Sequence, residues 1–257
     1  MPHSINATTE PRDGSVFQSM LDVLLPPRCV LCYQPVQGHV ALCGTCWEGL
    51  SFIDGPICQR TGTPLPYDLG PETVSLNAMM RPPAYDCARA ALIYDGAARL
   101  LIRRFKFHDR LELRQLLLPF MLRAGADFWP DADVIMPVPL HWTRLLMRRY
   151  NQSAELARGL SKHTQIPMQV NWLRRVKRTR QQIGLTRPMR KQNLQGAFAI
   201  APRHRAKLKD KHVVLVDDVL TTGATVEACA KICRRAGVAK ISVLTAARVV
   251  MPEIVHI

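Results

Sequence analysis

What this 257-residue chain lacks narrows its class before any motif is read. It has no apolar run near the ~18–20 residues a membrane-spanning helix needs. One of its longest, LLLPFML at 116–122, holds a proline, so membrane insertion is not expected. The opening residues carry Glu10 and Asp13 and no apolar core of the kind a secretory signal uses, which points to the cytoplasm. Neither a repeat nor a low-complexity tract is apparent. Acidic residues are few, 20 against 35 Lys+Arg, and after residue 87 only Cys229 and Cys233 remain of eight cysteines. What is left is an ordinary globular composition, 47% hydrophobic, of a length that suits one large domain or two modest ones.

The shortage of acid is local. Residues 1–87 hold 4 basic and 8 acidic side chains, a net of −4, and the remainder carries a net of +19. Arg144 to Lys211 alone has 18 basic and 2 acidic residues, a concentration that suits a polyanionic partner, either nucleic acid or a phosphorylated small molecule. Arg174 to Lys191 has eight basic and no acidic residues and is broken by Gly184 and Pro188, which reads as a mobile basic loop.

Six cysteines crowd into residues 29–87. Cys29-x2-Cys32 and Cys43-x2-Cys46 are two knuckles separated by ten residues, and four such thiolates can surround a zinc ion tetrahedrally. Disulfides are the weaker explanation without an export signal. Cys58 opens what looks like a further knuckle whose second cysteine has become Thr61, a poor zinc ligand, so Cys58 cannot support a second site alone. Gly55 to Pro83 reads as an irregular arm, Cys87 is too isolated to assign, and Cys229 and Cys233, four apart on an expected helix, read as buried thiols.

The most specific segment is His212-Val-Val-Leu-Val-Asp217-Asp218-Val-Leu-Thr221-Thr222-Gly223-Ala224-Thr225. Val213 to Val216 predicts a strand buried on both faces of a parallel sheet, ending in two carboxylates where open α/β sheets bind ligands. The hydroxyl-rich turn after it leads into a helix over Val226 to Ala236. Such a turn offers a phosphate backbone N–H groups, threonine hydroxyls and the positive helix end. The carboxylates would repel that phosphate; they suit vicinal ribose hydroxyls or a divalent metal bridging to a sugar. Val134 to Pro139 predicts a second short strand and turn, Ala88 to Tyr94 another strand, and Ser153 to Leu160 and Ala97 to Phe107 helices, with Phe105 and Phe107 in the core.

These residues carry a resemblance. VVLVDDVLTTGAT is similar to the phosphoribosyl pyrophosphate (PRPP) binding motif of type I phosphoribosyltransferases. Pro137-Val-Pro-Leu140 with Arg144, Arg148, Tyr150, Asn151 and Gln152 resembles a signature of the ComF family, as do Arg174-x4-Thr179-x2-Gln182-x2-Leu185-x4-Arg190-x2-Asn193-x3-Ala197-Phe198 and the opening Leu24-Leu-Pro-Pro-Arg-Cys29-x2-Cys32. Arg149 stands at the family's usual glycine, Tyr150 at its usual phenylalanine, and Thr61 at a cysteine.

The resemblance implies a zinc-binding module at 20–66, a linker at 67–87 and an α/β phosphoribosyltransferase-like domain with a central parallel sheet at 88–250. By it, Asp217 and Asp218 hold ribose and would be the catalytic pair. Thr221, Thr222, Gly223, Ala224 and Thr225 hold the 5-phosphate, while Pro139, Leu140, Arg144 and Arg148 meet pyrophosphate, with magnesium carried alongside PRPP. Two functions follow from it: a phosphoribosyltransferase of unknown acceptor, or a non-enzymatic factor of DNA uptake and natural transformation. The second would bind single-stranded DNA or a competence helicase.

Overall fold

The computed structural model describes residues 26–107, 110–140, 150–177 and 194–250. Four strands carry it: β1 (Cys87–Ile93), β2 (Val134–Pro137), β5 (His212–Leu220) and β6 (Lys240–Arg248) lie in the order β1-β6-β5-β2, every neighbouring pair parallel. β6 is buried from Ile241 to its end, which is why its sequence runs apolar rather than alternating. The expected strand at Val213–Val216 extends through both aspartates to Leu220, because β6 continues to pair with it as far as Leu220 against Arg248. Parallel pairing sets the C-terminal ends of β2 and β5 at one edge, so Pro139 and Leu140 emerge beside Asp217 and Asp218.

Helices cover both faces. On one, α3 (Gly96–Phe107), α4 (Arg114–Ala124) and α5 (Gln152–Thr164) bury Leu101, Ile102, Phe105, Leu117, Leu156 and Leu160 against Val214, Val216 and Leu244. On the other, α7 (Ala224–Arg235) packs Val226, Cys229, Ala230 and Cys233 against Val213, Leu215 and Val243. Beside it stands an antiparallel pair, β3 (Leu173–Arg175) and β4 (Phe198–Ile200), followed by α6 (Pro202–Leu208). The expected helices thus form, each starting one or two residues early; α5 runs four residues further, to Thr164, and α7 stops one short, at Arg235. Phe105 joins the core as expected; the Phe107 side chain lies outside the described residues.

The N-terminal module, with the short helices α1 (Gly44–Glu48) and α2 (Leu76–Met80), shares the first core rather than building its own. Val30, Leu31 and Leu50 pack into the same cluster as Leu101 and Phe105. Trp47, Phe52 and Phe120 close the seam with ring centroids 5.0–5.6 Å apart.

Candidate functional site

The thiols of Cys29, Cys32, Cys43 and Cys46 lie within 4.8 Å of one another. A tetrahedral zinc–thiolate site spaces its sulfurs by roughly 3.8 Å, and Cys32 and Cys43 Sγ are already 3.4 Å apart. Burial pushes the Cys29 thiol up, but the backbone N–H groups of Cys32, Cys43 and Leu31 outweigh it and bring it down to about 6. These N–H groups favour a Cys29 thiolate, while burial and the neighbouring thiols push Cys46 up, and the four-sulfur donor set fits structural zinc.

The chain builds that knuckle twice. In the first, Cys29 N–H donates to Gln34 O (2.7 Å), Tyr33 N–H to Cys29 O (3.0 Å) and Val36 N–H to Pro27 O (3.0 Å). In the second, Cys58 donates to Thr63 O (2.8 Å), Gly62 to Cys58 O (2.7 Å) and Leu65 to Pro56 O (2.8 Å), each partner shifted by 29 residues. Tyr33 and Gly62, at matching places, share φ of 66°. In the sequence the repeat shows only as Pro56, Cys58 and Pro64 recurring after Pro27, Cys29 and Pro35, because backbone geometry carries the rest.

The second copy keeps the fold and loses the donors. Where Cys43 caps α1, Ser75 caps α2 and donates its N–H to Cys58 Sγ at 3.3 Å, and where Cys46 follows, the buried Ala78 stands. Two arginines of the sheet take up the load a metal would bear. Arg248 bonds Thr61 O and Thr63 Oγ1, and Arg89 bonds Gln59 O and Oε1 at 2.9 and 2.6 Å. Thr73 and Ser75 fold back onto this copy, with Gln59 N–H donating to Thr73 O at 2.8 Å, before the chain runs on to α7 and the sheet. Gly62 sits so close to the sheet that a Cβ would come 2.3 Å from Ala88 O. Gly62→Ala is expected to destabilise the chain by about 1–3 kcal/mol in a denaturant titration, with zinc content unchanged.

At the C-terminal edge of the sheet the expected ligand loop assembles. Gly223 takes a left-handed conformation (φ 75°) as the N-cap of α7 and has no side chain to cap the first turn, so N–H groups there face outward. Thr221 is exposed, Thr222 Oγ1 is buried with no hydrogen-bond partner, and Ala224 and Thr225 open the helix. A buried orphan hydroxyl beside a free helix start is the arrangement an oxyanion satisfies. A groove of about 910 Å3 opens alongside, its lining including Arg81, Tyr85, Phe198, Thr222, Lys231 and Arg235.

The aspartates differ in their surroundings. Asp217 Oδ1 accepts from Ser153 Oγ (2.8 Å) and from Asp218 N–H (2.9 Å). Burial first, and the neighbouring Asp218 next, push its carboxyl up to about 7 against the pull of Ser153 and Lys106. Asp218 Oδ1 lies 2.9 Å from Lys106 Nζ. The Tyr-Asn-Gln-Ser run at 150–153 is the frame of this site. Tyr150 Oη donates to Phe105 O (2.6 Å), Asn151 Nδ2 to Val138 O (3.2 Å), and Gln152 Nε2 to Lys106 O (3.1 Å). These signature residues therefore position the site through backbone carbonyls. Pro139 and Leu140 follow the buried Val138 at its rim, whereas Arg144 and Arg148 lie outside the described residues.

Sequence reasoning passed over Lys106 and Ser153. Ser153 adjoins the Tyr-Asn-Gln signature, which was the signal available; Lys106 is 112 residues from its partner Asp218, and only the fold joins them. Arg174 and Arg175, expected in a mobile loop, instead belong to β3, while 178–193 lie outside the described residues. Cys229 and Cys233 are fully buried, as expected. Cys87 bonds Ser242 Oγ at 3.2 Å, in a line that continues through His212 (2.8 Å) to Asp131 (3.1 Å) at the opposite end of the sheet. Ser242 is fully buried, so this line ties strands together and presents no nucleophile.

A double zinc ribbon domain model matches residues 20–87, and a phosphoribosyl transferase domain model matches residues 151–250. Competence protein F of Haemophilus influenzae is 33% identical over 234 residues, covering 86% of this chain and 96% of its own length. DNA utilization protein YhgH of Escherichia coli (strain K12) is 31% identical over 227 residues, covering 85% and 96%. The solved structure of the allosteric regulatory enzyme of purine biosynthesis overlaps 56% of this chain and 30% of its own at 19% identity and a TM-score of 0.38, too loose a likeness to argue from.

Proposed function

This chain belongs to the ComF family, that of competence protein F, and on that premise we propose that it binds a ribose 5-phosphate group, PRPP first among candidates, in the service of DNA uptake. The observation that carries the reading is the loop after β5. Two carboxylates, an orphan Thr222 hydroxyl and the uncapped start of α7 share one sheet edge with the Pro137–Leu140 turn. The phosphate sits on the N–H groups of Thr222 to Thr225, and the ribose hydroxyls donate to Asp217 and Asp218. Arg144 and Arg148 neutralise a diphosphate at the turn. Magnesium arrives on the diphosphate of its ligand, as the ion commonly does at phosphate sites. With such a ligand bound, the ion offsets phosphate charge.

The zinc held by Cys29, Cys32, Cys43 and Cys46 is structural. Whether the site turns over is decided by titrating purified protein with PRPP and Mg2+ and assaying released pyrophosphate. Turnover with a nitrogen base or amine makes it a phosphoribosyltransferase. Ligand-induced stabilisation without turnover makes it a binding factor, and no response at millimolar PRPP removes the ribose phosphate reading.

A second reading, a factor that binds single-stranded DNA and meets a competence helicase in the cytoplasm, draws on the exposed basic surface beside β3. Arg174 and Lys177 face solvent, whereas Arg175 lies 5.4 Å over the Phe198 ring and is half-buried, a packing role. Arg174→Ala with Lys177→Ala is expected to weaken binding alike for unrelated single-stranded sequences. The salt slope should flatten by ~0.7 for each phosphate that the variant no longer neutralises. An unchanged slope assigns these cations to the surface alone.

A further inference from the structure

Lys106 is held unusually firmly for a lysine. It stands one residue from the end of α3, whose Leu101, Ile102 and Phe105 are fully buried. Its own carbonyl accepts from Gln152 and its neighbour's from Tyr150. Two residues earlier, Arg104 bonds Val30 O in the zinc module and lies 4.8 Å over the Tyr33 ring. Core, helix α5 and zinc module thus all fix the backbone from which the side chain reaches. That side chain is 17% exposed, its partner Asp218 14%, and the two charges meet at 2.9 Å.

The consequence concerns what the acidic pair can hold. Asp217 Oδ1 is taken by Ser153 and the Asp218 N–H, and Asp218 Oδ1 by Lys106. That leaves the two Oδ2 atoms without hydrogen-bond or ion-pair partners among the described residues. Two free acceptors suit two vicinal hydroxyls. A protein-bound Mg2+ would compete for the same two oxygens and would be repelled by the ammonium already seated on one carboxylate.

We propose that Lys106 is the resident cation of the acidic pair, taking the place of a protein-bound divalent metal, so that the site binds the hydroxyls of a ribose 5-phosphate directly. This rests on the ribose phosphate reading above. The ligand class it selects is a ribose phosphate whose hydroxyls need no metal bridge to the protein; any metal is carried by a diphosphate.

The test uses the full, zinc-loaded chain in magnesium-free buffer without chelator, so that the structural zinc stays in place. Ribose 5-phosphate is expected to raise the thermal midpoint equally with and without Mg2+. Wild type should show no site for Mn2+ alone by electron paramagnetic resonance. Lys106→Met is expected to lose at least tenfold in metal-free affinity for ribose 5-phosphate and to gain a Mn2+ site. Lys106→Arg, which keeps a cation, should recover part of that affinity and stay free of Mn2+. Unchanged zinc content and melting of both variants separate this from misfolding. Binding of ribose 5-phosphate only when Mg2+ is present overturns the role of Lys106 and leaves the ribose phosphate site standing. A Lys106→Met variant that neither loses affinity nor takes up Mn2+ does the same. Absence of binding to ribose 5-phosphate and to PRPP under every condition overturns both.

Discussion

Replacing Cys43 by serine is expected to drop bound zinc from one equivalent per chain to a small fraction, while Cys58→Ser leaves it at one. The contrast follows from the two knuckles. Cys43 is one of four sulfurs within 4.8 Å, whereas Cys58 has only Thr61, Ser75 and Ala78 at the corresponding places and is held by hydrogen bonds. Structural zinc sites contribute apparent binding energies of ~10–16 kcal/mol, far more than a module of this size gains from its own core. Losing the metal should therefore loosen the first knuckle, strip Val30, Leu31 and Leu50 from the shared core, and free Arg104 on α3. A net loss of even 3 kcal/mol would lower the melting midpoint by roughly 6–12 °C for a chain of this length. Elemental analysis with thermal melts checks it; full zinc in Cys43→Ser would place the metal elsewhere.

Local signals made much of this molecule legible. Parallel strands buried on both faces leave continuous apolar runs, so β5 could be placed from Val213–Val216, and the ligand turn after it depends on contiguous residues that are read together. The paired Cys-x2-Cys motif is equally local. What could not be read depends on pairings between distant parts of the chain. The pairing that extends β5 past the aspartates requires β6, and the cation at Asp218 comes from a helix more than a hundred residues away. The second ribbon is legible only in part, from Cys58 and the threonine at 61. Its hydrogen-bonding frame survives the loss of three of its four ligand positions because Arg248 and Arg89 grip backbone carbonyls, which any sequence supplies.

The Asp217→Asn/Asp218→Asn double variant is expected to lose its response to PRPP, and Asp217→Asn alone, which leaves the Lys106–Asp218 pair in place, to gain intrinsic stability at neutral pH. Burial and Asp218 hold the Asp217 carboxyl up at about 7 in the folded chain, against about 4 when unfolded. Between those values the native state keeps a proton that the unfolded state has released, so stability falls as pH rises through the window. Asp217→Asn removes that fall. The variant should match wild type near pH 4 and exceed it near pH 7, with a ceiling of about 1.4 kcal/mol for each pH unit between the two values. Ligand works in the opposite direction. Vicinal hydroxyls donating to the pair offset the cost of burying it, so PRPP at a hundredfold its Kd should stabilise wild type by about 2.7 kcal/mol and the double variant by almost nothing. Urea titrations at pH 4 and pH 7, each with and without PRPP, separate the two effects. A double variant that responds to PRPP as wild type does would remove the acidic pair from the ribose site. A stability gap independent of pH would show that Asp217 is ionised throughout.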